Sequence, residues 1–451
     1  MASYVPHTEA EIAEMLSFLG LSGIDELFAA VPAAISLGRG LDLAAGISEP
    51  DLVARLGALA ARNATGEELT CFAGAGAYDH ELPAAVRALA SRSEFMTAYT
   101  PYQPEVAQGV LQAVFEYQTM VTRLSGLDVS NSSLYDGANA LAEGVHLAVA
   151  ATGCDRAVVS QGVHPHWREV VSTLGRGGGR EVVTARLVKG STDWASLGEE
   201  GERPAGAVVV GYPNHLGCLE DLDAARAVAD RIGALLVVCF DPIAAGLLRS
   251  PASVGADVAV AEGQALGTPL SFGGPYLGIF TCRSGHVRRL PGRLVGETVD
   301  LEGRPAYVTT LRSREQDIRR AKATSNVCTD QTLMAVTAAI HLGWLGSEGL
   351  REVGLRCARG ARYCKEALLG TGAAVEVTEA PTLYEFAIRA PVGADVLVER
   401  LAEDGFLAGV PVGAEMEGSG AEDSLLIAVT ERRTRAEIDS FVAAFDKAAR
   451  R

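Results

Sequence analysis

The sequence predicts an α/β chain: a large, mainly parallel sheet covered by helices on both faces, followed by a smaller α+β region at the carboxy terminus. Three observations lead there. Five short β-rich runs alternate with amphipathic helices between residues 156 and 262, and strands separated by helices pair in parallel. Two long helical stretches follow from Thr332, and after them come three strand-like runs with one helix between them and one behind.

In chain order, residues 1–70 carry helical periodicity broken by "LGLSG", "VP" and "SEPD", and Thr8 with Glu11 forms a helix-starting capping box. They read as a helical arm. The large α/β domain is placed at 71–330, with strands "RAVVS" (156–160), "EVVTARL" (181–187), "GAVVVGYP" (206–213), "ALLVVCFD" (234–241) and "ADVAVAE" (256–262). Between two of them "DLDAARAVADRIG" is a helix with Asp221 as N-cap and Gly233 as terminator. Linking helices "TLMAVTAAIHLGWLG" and "LREVGLRCARGARYCKEALLG" open the last region, 331–451. It continues with "AAVEVT", "LYEFAIRA", a helix at "ADVLVERLAEDG", "LLIAVT" and a final helix from Thr434. This order is that of the aspartate-aminotransferase-like, type I fold of pyridoxal-phosphate enzymes, a fold that hosts many functions.

Composition narrows the class. A net charge of −17 over 451 residues opposes nucleic-acid binding, which needs clustered Lys and Arg. Eight cysteines without a C-x-x-C pair point to reduced thiols in the cytoplasm. The amino terminus lacks the basic and apolar regions of an export signal. The longest apolar stretch, from Gly233, is interrupted by Asp241 and Pro242 and falls short of the roughly 20 residues of a membrane span. His164 and His166 flank Pro165, which favours a turn over a shared ion, so no metal is expected.

A cofactor in such a fold needs an anion site at a helix N-terminus, an Asp at a strand end and a lysine for the imine. Asp241 ends the strand "ALLVVCFD" and fits the Asp role, or else caps the turn with Pro242. In "EGQALGTP" the lysine position carries Gln264, and an amide forms no imine. The nearest lysines, Lys189 and Lys322, lie outside strand-end loops of this type. At the start of "GANALAEGVHLAVAAT" stands Asp136, which satisfies the helix amides itself and repels a phosphate dianion. "AYTPYQPE" (98–105) is rigid and aromatic, suited to lining a pocket or to linking elements. "RSREQDIRRAKATSN" (312–326) gathers positive charge behind a Ser313–Gln316 capping box, as a solvated helix face or a dock for an acidic partner or a carboxylate. "LGRGGGRE" (174–181) lacks phosphate-loop spacing and reads as a loop.

Together "FAGAGAYDHELP" (72–83), "AYTPYQPEVAQGVLQAVFEYQTM" (98–120), "SLYDGANALAEG" (133–144), "EGQALGTPLSFGGPYLG" (262–278) and "REQDIRRAKATSNVCT" (314–329) make the chain closely similar, over nearly its whole length, to the glycine decarboxylase P-protein family of the glycine cleavage system. It resembles the amino-terminal half, which some organisms make as a separate subunit 1. The resemblance implies glycine decarboxylation by an α2β2 assembly, with aminomethyl transfer to the lipoyl arm of H-protein. It also implies pyridoxal phosphate held by the partner, subunit 2, rather than by this chain. Aligned on the Gly-Gly-Pro after Pro269, the family's imine lysine falls on Gln264. Asp136, His164, Asp241 and Gln264 are then vestigial cofactor positions. Tyr99, Thr100, Tyr102 and Gln103, and secondly Arg319, Lys322, Thr324, Ser325 and Asn326, are the expected contributors to the partner's pocket.

Overall fold

The computed structural model describes residues 6–66, 68–96, 100–197 and 203–451, in two compact units that divide between Ala64 and Thr65. In the first, the expected capping box starts the helix Glu9–Leu19: Thr8 Oγ1 accepts the Glu11 N–H at 3.3 Å, and the Glu11 carboxylate accepts the Thr8 N–H at 2.7 Å. A second helix, Glu49–Ala60, begins on Ser48 with Pro50 in its first turn. Neither helix holds a buried residue, and Phe18 is 91% exposed.

The second unit is built on a seven-stranded sheet among its described residues. Its strands are β1 (Val129–Ser130), β2 (Arg156–Ser160), β3 (Glu181–Ala185), β4 (Ala207–Tyr212), β5 (Leu235–Phe240), β6 (Val258–Glu262) and β7 (Gly278–Cys282). The order is β1-β7-β6-β5-β4-β2-β3, parallel from β3 to β6, with β7 antiparallel to both neighbours. Every residue of β4 is buried, because helices cover both faces and leave no reason for alternation. The helix Leu222–Ile232 starts on Asp221, which accepts the Ala224 N–H at 2.9 Å, and stops at Gly233 in the left-handed region.

Several elements differ from expectation. "EVVTARL" breaks at Arg186 into β3 and a two-residue bridge. The Gly-rich stretch is helical as far as Gly177, since the helix beginning at Pro165 runs into it. Ser313 lies in a single 3-10 turn and caps nothing; the four-residue helix Gln316–Arg319 starts on Glu315 without a side-chain cap. The linking helices, by contrast, stand as two as expected within Thr332–Gly370, parted where Gly346 leaves helical geometry (φ 60°, ψ −176°). Beyond it, Glu385–Arg389 and Leu425–Ala428 pair at the centre of a four-stranded antiparallel sheet, whereas "AAVEVT" contributes only Val375–Glu376. The final helix, Arg435–Arg450, seats Phe441 and Phe445 in a core with Phe72, whose ring stacks on Phe441 at 4.1 Å. No described helix is long and apolar enough to cross a membrane.

Candidate functional site

A cavity opens at the carboxyl ends of β4, β5 and β6, where open α/β sheets bind ligands. His164, Asp241 and Gln264 line it together, with Glu262 at the end of β6 and Tyr384 and Glu385 from the small sheet. Three of the four expected cofactor positions therefore meet in one place, and Asp136 stands beside them at the start of the helix Gly137–Thr152.

What these groups do there is hold the protein together. Gln264, 2% exposed, accepts the Tyr78 N–H at 2.9 Å and donates to Tyr78 O at 3.1 Å and Thr268 O at 2.8 Å. Its amide pins the segment around Tyr78 as a strand neighbour would. At the helix start, Asp136 accepts the Asn139 N–H at 2.7 Å, and Glu262 accepts the Gly137 N–H at 2.9 Å. The Trp167 indole closes on the same point: a Cβ at Gly137 would lie 2.3 Å from it. Two carboxylates and an indole thus occupy the place where a phosphate would seek free amides. Burial pushes the Glu262 carboxyl up to about 7 against the three backbone N–H groups that hold it.

Asp241 caps the turn that follows it: it accepts the Ala244 N–H at 2.6 Å and takes the Tyr384 hydroxyl on its other oxygen. His164 caps its helix, accepting the His166 N–H on Nδ1 at 3.2 Å, while Nε2 lies 2.9 Å from Ala75 O. A ring that accepts at Nδ1 and donates at Nε2 is neutral, and burial lowers its pKa to about 4. His215, 5.0 Å from the His164 ring, is held by burial at about 3. The chain has four lysines. Lys189 pairs with Glu379, Lys365 with Glu376 and Lys447 with Asp404, and Lys322 is exposed on a surface turn. None lines the cavity.

Glu385 accepts the Ala75 N–H at 2.7 Å and the Tyr78 hydroxyl at 2.9 Å, and burial raises its pKa from 4.5 to about 7, with Asp241 adding to the rise. A carboxyl raised on folding binds its proton more tightly in the native state, so its contribution is fully present below pH 4.5 and is lost as pH rises through 7. Urea unfolding between pH 4.5 and 8 therefore shows a stability decline, shared with Glu262, that Glu385→Gln makes shallower, since the amide keeps the neutral form's acceptor. A slope unchanged in the variant would assign the effect elsewhere.

The second set of expected residues lies apart from this cavity. Tyr99 falls outside the described residues. Tyr102 is 53% exposed and Gln103 is exposed, while the Thr100 hydroxyl is buried without a hydrogen-bond partner. Arg319, Lys322 and Asn326 are exposed; Thr324 and Ser325 are half-buried, and Ser325 Oγ accepts the Val327 N–H at 3.1 Å. Sequence reasoning missed the residue that joins the two segments. Arg293, 7% exposed, sits 4.6 Å from the Tyr102 ring centre and donates from Nη2 to the Tyr102 hydroxyl at 3.1 Å and to Cys328 O at 3.0 Å. Its only sequence signal is a lone Arg in "PGRLVG".

A family profile described as glycine cleavage system P-protein matches residues 2–445. The chain is 44% identical over 443 residues, 98% of each chain, to a probable glycine dehydrogenase (decarboxylating) subunit 1 of Desulforamulus reducens. It is 45% identical, over 98% of each chain, to a protein of the same name from Chlorobium chlorochromatii. Among solved structures it matches a glycine decarboxylase (P-protein) of the glycine cleavage system in inhibitor-bound form, with a TM-score of 0.91, 44% identity and coverage of 99% of this chain and 100% of that one. A glutamate decarboxylase of Lactobacillus brevis, at 14% identity and a TM-score of 0.68 over 93% of this chain and 96% of that one, shares the fold alone. The expected type I α/β fold is borne out.

Proposed function

From the premise that this chain belongs to the glycine cleavage system P-protein family, we propose that it works as subunit 1 of a glycine dehydrogenase (decarboxylating), competent only beside a second subunit that holds pyridoxal phosphate. In the proposed reaction glycine loses its carboxylate as CO2, and the aminomethyl group passes to the lipoyl arm of an H-protein. Pyridoxal phosphate supplies the electron sink that such a decarboxylation requires.

One observation carries the division of labour: no lysine lines this chain's cavity, and two helix amides a phosphate would use, those of Gly137 and Asn139, are taken by Glu262 and Asp136. The residues here do not fit the cofactor. An α2β2 assembly agrees with the exposed apolar side chains of the amino-terminal unit, Phe18, Ile35, Leu41 and Leu43 among them, which suit a protein interface. In that assembly the surface around Tyr102 and Arg293 covers the partner's pocket, excludes water and positions glycine or the lipoyl arm. Gln103, Arg319, Lys322 and Asn326 flank it in sequence.

Glycine–bicarbonate carbon exchange tests the proposal with this chain alone, the lysine-bearing subunit alone, and both together, each with lipoylated H-protein. Exchange is expected only in the mixture. Full exchange by either subunit alone would overturn the reading, as would a phosphopyridoxyl adduct at one specific residue after borohydride treatment of this chain with the cofactor.

A further inference from the structure

A second cavity, of about 310 Å³, opens at the kink of the helix Thr332–Gly370. His341 and Trp344 reach it from one side of Gly346, and Glu352 and Arg356 from the other. His80 enters from the loop that follows Tyr78, and Glu431 from the turn ahead of the last helix.

Three side chains distant in sequence converge beside it: His80 and Glu431 line the cavity, and the buried Cys357 meets Glu431. His80 Nδ1 lies 2.7 Å from Glu431 Oε2, and the Cys357 thiol donates to the same oxygen at 3.3 Å. One nitrogen, one sulfur and one oxygen from the three residues all lie within 4.8 Å of one another. The hydrogen bond between His80 and Glu431 accounts for part of this. Burial alone would raise the Glu431 carboxyl, yet its bond to His80 holds it at about 2.

The pair leaves two nitrogens unexplained. His80 Nε2 and His341 Nδ1 are both buried without a hydrogen-bond partner, on side chains only 5% and 3% exposed, and both residues line the cavity. Leaving such a group unpaired in the interior is unfavourable. Two in one cavity, beside a thiol and a carboxylate, ask for an occupant with Lewis-acid character.

We propose that His80, Cys357 and Glu431 bind one divalent transition-metal ion of the zinc class, with His341 facing it across the cavity. The donor set selects the ion: imidazole, thiolate and carboxylate suit zinc, whereas calcium and magnesium prefer oxygen alone. Bonds of about 2.0–2.3 Å place tetrahedral ligand atoms roughly 3.3–3.8 Å apart. The cluster therefore needs the 2.7 Å His80–Glu431 contact to open and its widest pair, within 4.8 Å, to fall inside that spacing. Entry of the ion releases the Cys357 thiol proton to solvent, while the proton between His80 and Glu431 passes to the other nitrogen of the His80 ring, with no change of oxidation state. A cavity water or His341 completes the fourth position. The ion would tie together the loop at His80, the helix after its kink and the turn at Glu431. Because Tyr78 lies two residues from His80 and is itself held by Gln264, this also stiffens the wall of the first cavity.

The test uses the full, untagged chain loaded with zinc and exhaustively dialysed. One ion per chain is expected, with X-ray absorption at the zinc edge showing a single sulfur scatterer at about 2.3 Å and imidazole beyond it. Cobalt in place of zinc should give a thiolate-to-metal charge-transfer band. Cys357→Ser should abolish that band, and His80→Gln should weaken zinc binding at least about tenfold. Cys328→Ser, at an exposed cysteine, should change neither. No retained ion, a sulfur-free shell, or a band that survives Cys357→Ser or vanishes in Cys328→Ser would each overturn the site. Should Cys357→Ser fail to fold, the absorption spectrum of the unaltered chain and the Cys328→Ser control decide the question.

Discussion

Arg293→Gln lowers glycine exchange by the reconstituted complex by about 10²-fold while the complex still assembles, the loss expected when a group that orients reacting partners is displaced by an ångström or so. The residue meets the Tyr102 ring and hydroxyl and the carbonyl of Cys328 at once, so it fixes one candidate segment against the other. Glutamine reaches one of these partners and stacks on none as a cation. Arg293→Lys keeps the charge but not the planar fork, and recovers only part of the rate. Tyr102→Phe removes the hydroxyl while sparing the ring contact, and should fall between the two. The decisive readout is the split between kcat and KM for glycine, with complex size followed by gel filtration. A positioning role lowers kcat in complexes of normal size, whereas a purely structural role appears as lost assembly with normal turnover in what remains. Unaltered turnover in all three variants would move the site away from this surface.

Gln264→Lys destabilises the chain by roughly 3 kcal/mol and gains no cofactor. A lysine ammonium can donate to Tyr78 O and Thr268 O, as the amide does, but it cannot accept the Tyr78 N–H, which is left unpaired in the interior. Desolvation of the charge adds to that, offset in part by Glu262, which accepts the residue's own N–H at 3.0 Å. The phosphate position stays closed even with an imine-forming amine in place. Asp136→Ser removes the carboxylate but leaves a hydroxyl that can accept the Asn139 N–H, and Glu262 stays on Gly137, so the double variant also stays colourless in the visible range. Urea unfolding gives the stability change, and absorbance with added pyridoxal phosphate gives the binding. A stable, coloured single variant would show that the helix amides are available after all.

Local chemistry made much of the chain readable in advance. The alternation of short β runs with amphipathic helices located β2 to β6, and caps that act over three or four residues, Thr8 with Glu11, Asp221 and Asp136, stand where their residue types placed them. Such signals are complete within one turn of helix or one strand, so no knowledge of the rest of the chain is needed to read them. Where a local signal failed, at Ser313, the surrounding segment forms only isolated turns, with too few helical residues for a cap to serve. The antiparallel β7 escaped notice because its five residues follow directly on the turn-rich stretch 262–278.

The sites belong to the tertiary structure. Glu262 reaches Gly137 across 125 residues, Gln264 reaches Tyr78 across 186, and Arg293 reaches Tyr102 across 191. No periodicity or spacing encodes such pairs, because they depend on which strand ends and loops the sheet order brings side by side. By itself the sequence determined that this chain folds as an α/β protein with a glutamine where an imine lysine would be needed. Only the packed structure decided what that glutamine does instead, which arginine holds Tyr102, and that His80, Cys357 and Glu431 come together, since each follows from distances that exist only once the chain has closed on itself.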